Sequence, residues 1–287
     1  MKAAAFAYAK PSSLAEVFDL LEQCSGEARI LAGGQSLLAA LNMRLAAPAM
    51  LIDINGLAEL DGIAVNGETV RIGALTRHRS LERSAEIARH LPLIRLAMPH
   101  VAHAAIRNRG TFGGSIAYAD PAAELPACSV ALDAMFRIAG RRGERSVPAR
   151  QFFKGLYETD LQPGEVLLGA DFRALRPGYR AAFLELTRRH GDYAVAGVAA
   201  HARFENGRFA DASLAFFGIG ARPVLAARAR AALEDSPYAP ETVAAVQSAV
   251  GADLEACACG DLYHAATTKL HLARVLAGRA VHALTGA

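Results

Sequence analysis

The spacing of apolar residues changes period several times along the chain, and each change predicts an element. In "PSSLAEVFDLLEQC" (11–24), Leu14, Val17, Phe18 and Leu21 recur at helical intervals behind Ser12 or Ser13 as N-cap. A helix with one buried face is expected there. The apolar runs "ARILAGG" (28–34) and "AMLIDING" (49–56) are short and end in glycine or Asn-Gly, so they read as strands flanking a helix, a small βαβ-like unit. In "GIAVNGETVRIGALTRH" (62–78), Ile63 and Val65 alternate before Asn66-Gly67 and Val70 and Ile72 after it, which predicts a β-hairpin. Helical spacing returns from Ser80 to His103, in two pieces separated near Pro92.

Beyond Pro177 the texture changes. "AAFLELTRR" and "VAGVAAHARFENGRFADASLAFFGIG" predict strands, with a strand pair turning at Asn206-Gly207, and helices follow to the C-terminus. A domain boundary is placed at 175–180. The last segment, "LYHAATTKLHLARVLAGRAVHAL" (262–284), predicts a long helix that packs back on the second domain's strands.

The 287 residues suffice for one large domain or for two to three smaller ones. Apolar residues at 53% against charged residues at 21% exclude a disordered chain. The formal net charge of +3 is dispersed, and "RRGER" (141–145) and "RRH" (188–190) are short, so no field for nucleic acid or anionic membrane is expected. No run of about eighteen uncharged apolar residues occurs, so no membrane span is expected. The N-terminus carries no convincing export signal. Cys24, Cys128, Cys257 and Cys259 are too few and too irregular for a disulfide framework or a four-cysteine zinc site, which fits a cytoplasmic protein.

Chemistry enters with two glycine clusters. Ala32-Gly33-Gly34-Gln35-Ser36 and Thr111-Phe112-Gly113-Gly114-Ser115 each place Gly-Gly within two residues of a serine. Glycine lets the main chain approach a ligand without a Cβ in the way, successive amides form an anion-binding concavity, and hydroxyls add neutral donors. A tight turn explains any one Gly-Gly pair; two of the same pattern favour two loops closing on one elongated ligand such as a diphosphate. The dinucleotide fingerprint G-x-G-x-x-G is absent from both places. Gly218 and Gly220 in "FFGIGARP" (216–223) imitate it, but Pro223 stands in the third glycine's place, so a turn after a strand is expected.

"AGGQSLL" (32–38), "RNRGTFGGSIAYADPAAELPA" (107–127) and "RRHGDYA" (188–194), in that order, resemble the FAD-binding medium subunit of molybdenum hydroxylases. This is the family of the carbon monoxide dehydrogenase medium subunit and the xanthine dehydrogenase FAD subunit, and the resemblance spans nearly the whole chain. It implies an α+β protein: a two-part FAD-binding domain of the vanillyl-alcohol-oxidase or MurB type over 1–176, divided at about 57/58, then a smaller α+β domain over 177–287 with an antiparallel sheet and helices. It implies that Ala32, Gly33, Gly34, Gln35, Ser36 and Leu37 line a noncovalent FAD from one side and Thr111, Phe112, Gly113, Gly114 and Ser115 from the other. Glu124 stands where the family usually has aspartate and is expected to accept a ribose or flavin hydrogen bond. Leu167 and Leu168 match a position where backbone meets flavin, although a plain core strand explains them equally. Tyr193 matches an aromatic near the isoalloxazine ring, or is an ordinary buried tyrosine.

Other candidates carry less. Cys257-Ala-Cys259 lacks a second pair, so small buried thiols are expected rather than an iron–sulfur or zinc site. His100 and His103 have no carboxylate nearby in sequence and read as helix-surface or core histidines. No G-x-S-x-G and no G-x-x-x-x-G-K-[ST] occurs, which removes hydrolase and kinase readings. The resemblance implies an oxidoreductase subunit with no catalytic side chain of its own. Its partners would be a large molybdenum-cofactor subunit and a small [2Fe-2S] subunit, and it would pass their electrons to a terminal acceptor. The rival expectations are a free-standing flavin oxidase or reductase and a cofactor-free scaffold.

Overall fold

The computed structural model describes residues 2–286. Its first layer holds β1 (Ala7–Ala9), α1 (Leu14–Gln23), β2 (Ala28–Leu31), α2 (Leu37–Asn42) and β3 (Met50–Asp53), with the strands in a parallel sheet ordered β1-β3-β2. The βαβ unit is present. Ser13 caps α1, its hydroxyl accepting the Glu16 amide at 3.3 Å, and Val17 packs with Ala28, Ile52, Ile54 and Leu57. Strand β2 stops at Leu31, short of the expected Gly34, because the chain turns through Gly34 at φ +72°.

The second layer begins with the hairpin β4 (Ile63–Asn66) and β5 (Thr69–Gly73). Helices follow: α3 (His78–Arg83), α4 (Ala85–His90), α5 (Pro92–Ala97), α6 (Ala104–Arg109), α7 (Phe112–Tyr118) and α8 (Glu124–Ala131). Then come β6 (Met135–Gly140), β7 (Gly143–Pro148), the single turn α9 (Ala149–Phe152), the small pair β8 (Phe153–Gly155) and β9 (Glu158–Thr159), and β10 (Val166–Arg173). An antiparallel sheet ordered β4-β5-β10-β6-β7 results. The two helical pieces expected over 80–103 are instead three α-helices and a 3-10 turn at Met98–His100. The additional break lies at Ser84, whose extended backbone ends α3 while its hydroxyl accepts the Ile87 amide and starts α4.

The third layer contains β11 (Tyr179–Thr187), β12 (Ala194–Glu205), β13 (Arg208–Phe217), β14 (Val224–Leu225), α10 (Ala227–Leu233), α11 (Pro240–Leu254) and α12 (Ala266–Ala283). Its antiparallel sheet is ordered β11-β12-β13-β14, and β12 turns into β13 through Asn206 and Gly207, both at positive φ. Both faces of this sheet are covered. Ala196, Val198, Leu214 and Phe216 meet α10, α11 and α12, while Phe183, Ala199, Ala215 and Phe217 face α5 and α8 of the preceding layer. Two covered faces explain why β12 and β13 read as continuous apolar runs rather than alternating ones. The last helix starts four residues later than expected, because the Asp261 carboxylate accepts the amides of Tyr263 and His264 and holds those residues in a turn.

Candidate functional site

The first glycine loop leaves β2 and enters α2. Gly34 takes φ +72°, and the amides of Gly34, Gln35 and Ser36 donate to no backbone carbonyl among the described residues. The Gln35 side-chain amide donates to the Gly33 carbonyl at 3.0 Å, and Ser36 makes no capping hydrogen bond, its hydroxyl having no partner among the described residues. Leu37 opens α2. Unpaired donors on a loop without bulky side chains make an anion site, because an unmade hydrogen bond there is costly until a ligand or water supplies the acceptor.

The second cluster, expected as a loop, is the first turn of α7 with Thr111 as its N-cap, and it spends more of its donors internally. Phe112 donates its amide to the Thr76 carbonyl and Gly113 to the Ala74 carbonyl, both at 2.8 Å, while Gly114 donates to the Thr111 hydroxyl at 3.1 Å. Phe112 is fully buried in the core. Among the described residues the Thr111 amide and hydroxyl and the Ser115 hydroxyl make no donation, which adds them to the Gly34, Gln35 and Ser36 amides and the Ser36 hydroxyl on the first side. Gly113 is glycine for packing, since a Cβ there would lie 2.8 Å from the Ala74 Cα.

The two loops touch. A Cβ on Gly33 would collide with the Arg109 carbonyl and lie 2.9 Å from the Gly110 Cα, so Gly33 is what permits the approach. Arg77 stitches the same junction: one guanidinium nitrogen donates to the Arg109 carbonyl and another to the Asn55 Oδ1 at 2.7 Å. Asn55 in turn donates to the Ala32 carbonyl at 2.8 Å and to the Asp53 carboxylate at 2.6 Å, which also accepts the Tyr8 hydroxyl at 2.5 Å. Buried His78 supports the second cluster, with Nε2 donating to the Thr111 carbonyl at 2.9 Å and Nδ1 without a partner among the described residues. Burial drives its pKa down to about 4, so the ring is neutral at physiological pH. Arg77, Asn55 and His78 were not singled out by the sequence, because their partners lie far along the chain.

From this junction α7 runs seven residues, about 10 Å at 1.5 Å per residue, to a second group of side chains. Ala119 adopts a left-handed conformation and turns the chain to Asp120. Tyr118 meets Tyr157 edge to face at 5.2 Å, and burial followed by the Asp120 charge pushes the Tyr157 phenol up to about 12. Tyr193 projects from the β11–β12 connection into the same neighbourhood: at 68% exposed it is not an ordinary buried tyrosine, while protein packed around one side of the ring, then the charges of Asp120, Tyr118 and Glu124, raise its hydroxyl. Glu124 opens α8, and burial, with Glu185 and Asp120 adding, raises its pKa to about 8. Leu167 and Leu168 are buried strand residues of β10; Leu167 packs in the central core and Leu168 with the first layer, and the Leu168 carbonyl accepts the Ala74 amide.

The molecule thus offers a junction of free amides and hydroxyls at one end of α7 and an aromatic and acidic group at the other. These residues fit FAD: the junction has the donors that a diphosphate needs, and the tyrosines suit a flat ring. Residues 4–171 match the model of the FAD binding domain in molybdopterin dehydrogenase, and 181–284 that of the CO dehydrogenase flavoprotein C-terminal domain. The chain belongs to this flavoprotein family. It is 37% identical over 279 residues to the carbon monoxide dehydrogenase medium chain of Hydrogenophaga pseudoflava, covering 97% of this chain and 96% of that one. To the 6-hydroxypseudooxynicotine dehydrogenase complex subunit alpha of Paenarthrobacter nicotinovorans it is 38% identical over 250 residues, 87% of this chain and 84% of that one. Among solved structures, carbon monoxide dehydrogenase from Hydrogenophaga pseudoflava superposes with a TM-score of 0.96 at 37% identity, covering 100% of this chain and 99% of that one. Quinoline 2-oxidoreductase from Pseudomonas putida 86 gives 0.94 at 36% identity with the same coverage. The flavoprotein is therefore an oxidoreductase subunit whose cofactor is FAD, with a FAD-binding domain followed by a domain of antiparallel sheet and helices.

The remaining candidates resolve as turns and packing, except that Cys257 is half-buried and Cys259 exposed, against the expectation of buried thiols. In the flavoprotein's third layer the Gly218 amide donates to the Pro121 carbonyl at 2.8 Å, its carbonyl accepts Lys269 at 2.9 Å, and Gly220 abuts the Cys257 carbonyl. That cluster joins elements and is no cofactor loop. His100 pairs with Glu185 at 3.2 Å, a carboxylate that the sequence did not place beside it. Among the described residues no group of three or more His, Cys, Asp or Glu is arranged to hold a metal, and no helix is long and apolar enough to cross a membrane.

Proposed function

We propose that Ala32 to Leu37 and Thr111 to Ser115 hold the FAD diphosphate, that the ring lies towards Glu124, Tyr193 and the backbone near Leu167 and Leu168, and that the chain serves as the electron-exit subunit of a three-part hydroxylase. The contact between the two glycine loops carries this reading, because it turns two separate turns into one site with free donors on both sides. FAD exchanges electrons singly or in pairs, and the protein's part is to bind and orient it and to tune its surroundings. A large molybdenum-cofactor subunit and a small [2Fe-2S] subunit would supply the electrons, and a terminal acceptor would remove them. The division into 1–176 and 177–287 is part of this proposal. The four free thiols support a reducing, cytoplasmic setting.

The test is an absorption spectrum of the purified chain before and after FAD addition and desalting, with released flavin identified by chromatography. Retained, stoichiometric FAD is the expected result; a colourless chain, even when co-expressed with its neighbours, overturns the site. Metal analysis of a tagged chain purified with its partners tests the assembly: co-purifying molybdenum and iron are expected, and a flavoprotein that purifies alone and oxidises a substrate directly supports the free-standing alternative.

A further inference from the structure

At the far end of α7 the two halves of the molecule share buried acids. Glu185, on β11, has a side chain only 3% exposed; its Oε1 lies 3.2 Å from His100 Nδ1, and its Oε2 is buried with no hydrogen-bond partner among the described residues. His100 belongs to the 3-10 turn after α5, keeps 34% of its side chain exposed, and rests against the Phe183 ring at 5.1 Å. The Glu124 carboxyl, on α8, accepts a hydrogen bond from its own backbone amide. The ionisable groups around it are Glu185 from β11, Asp120 from the preceding loop, Cys128 one turn along α8, and Tyr193 from the β11–β12 connection. Burial, with the Glu185 and Asp120 charges adding, favours the neutral form of this carboxyl.

One-electron carriers deliver electrons without protons, yet an oxidised flavin that takes two electrons also binds a proton. We propose that Glu124 donates that proton to the flavin and that the Glu185–His100 pair returns it from solvent. This rests on the FAD reading above. Two electrons from one-electron donors enter the ring, the Glu124 O–H bond breaks, and an N–H bond forms on the ring. Glu124 is then a carboxylate beside Asp120 and Glu185, and this crowding of negative charge draws a proton back. His100, reaching solvent on one side and Glu185 on the other, is the entry point, and the unpartnered Oε2 of Glu185 is the acceptor that passes the proton inward.

The test uses the FAD-loaded protein reduced by methyl viologen radical, following the flavin absorbance from neutral to alkaline pH in light and heavy water. The wild-type rate is expected to show a solvent isotope effect and to fall as Glu124 ionises. Glu124→Gln should be about 100-fold slower, the low end of what a positioned acid contributes, with no such fall. Glu185→Gln removes a like charge and should move the fall to lower pH, which keeps the proposal testable if the Glu124 variant loses its flavin. A Glu124→Gln protein with the wild-type rate, isotope effect and pH profile overturns the proposal, as does a Glu185→Gln profile that does not move. Wild-type protein that holds no FAD instead refutes the underlying site.

Discussion

At Gly33 a single added carbon has nowhere to go, because the obstruction is the backbone of the second loop rather than a side chain that can swing away. Gly33→Ala is therefore expected to push the loops apart, lower the melting temperature and leave the desalted protein with little FAD. Gly34 obeys a different constraint. Its φ of +72° costs an alanine about 1–2 kcal/mol, while the nearest atoms, 3.0–3.2 Å away, are the tips of Leu31 and Leu38 and can yield. Gly34→Ala should fold with a modestly lower melting temperature and keep part of its flavin. Thermal unfolding with the flavin-to-protein absorbance ratio separates the two, and full FAD content in Gly33→Ala would remove the loop contact from the binding argument. Arg77 is the polar counterpart of Gly33. Arg77→Met retains the stem but deletes the bonds to Arg109 and Asn55, each worth about 1.5–3 kcal/mol when one partner is charged. Faster FAD release, read by the fluorescence of freed flavin, is the expected outcome, and an unchanged release rate would make Arg77 irrelevant to the junction.

Elements whose chemistry is local are legible in the sequence. Asn66-Gly67 and Asn206-Gly207 mark hairpins because the residues that need positive φ are themselves in the turn. The first glycine loop was legible for the same reason at Gly34, and Ser13 and the face of α1 through local capping and spacing, whereas Gly33 and Gly113 are glycines for contacts made far along the chain. The support around the loops was not. His78 bonds a carbonyl 33 residues away and Arg77 reaches 22 and 32 residues, so no spacing in the chain announces either. Glu185 and His100 meet only because α5 packs on β11. α3 also carries a consequence for pH. The buried His78 ring titrates near 4 in the folded state against about 6.5 in the unfolded chain, so the unfolded state binds more protons between these values. Stability should be fully present above about pH 6.5 and decline by up to about 3 kcal/mol as pH falls towards 4. Glu124 acts in the opposite sense: its raised pKa stabilises the fold below the unfolded value and loses that contribution as pH rises through about 8. Urea unfolding across this range should show a dome. His78→Gln should flatten its acid limb, and an unaltered limb in that variant would assign the slope to another group.

The sheet of the third layer makes the molecule one cooperative object, because it belongs to two cores at once. Phe217 stands at the centre of the shared face: it lies opposite Gly197 in the β12–β13 register, where any Cβ would run into its ring, and it stacks on Phe183 at 5.5 Å. Around it the domains are joined by polar contacts, since both the His201 Nε2 and the Ser213 hydroxyl donate to the Ala131 carbonyl, at 3.0 and 2.8 Å. Removing Phe217 leaves a cavity between α8 and the sheet rather than at a surface, so Phe217→Ala should cost about 3–5 kcal/mol. The loss should also reach the flavin, because α8 carries Glu124 at one end and Ala131, the anchor for His201 and Ser213, at the other. Unfolding followed by circular dichroism and by flavin release should therefore shift downward together in Phe217→Ala. If the flavin signal kept its wild-type midpoint while the circular dichroism moved, the third layer would be unfolding without the cofactor site, and the shared core would not couple them.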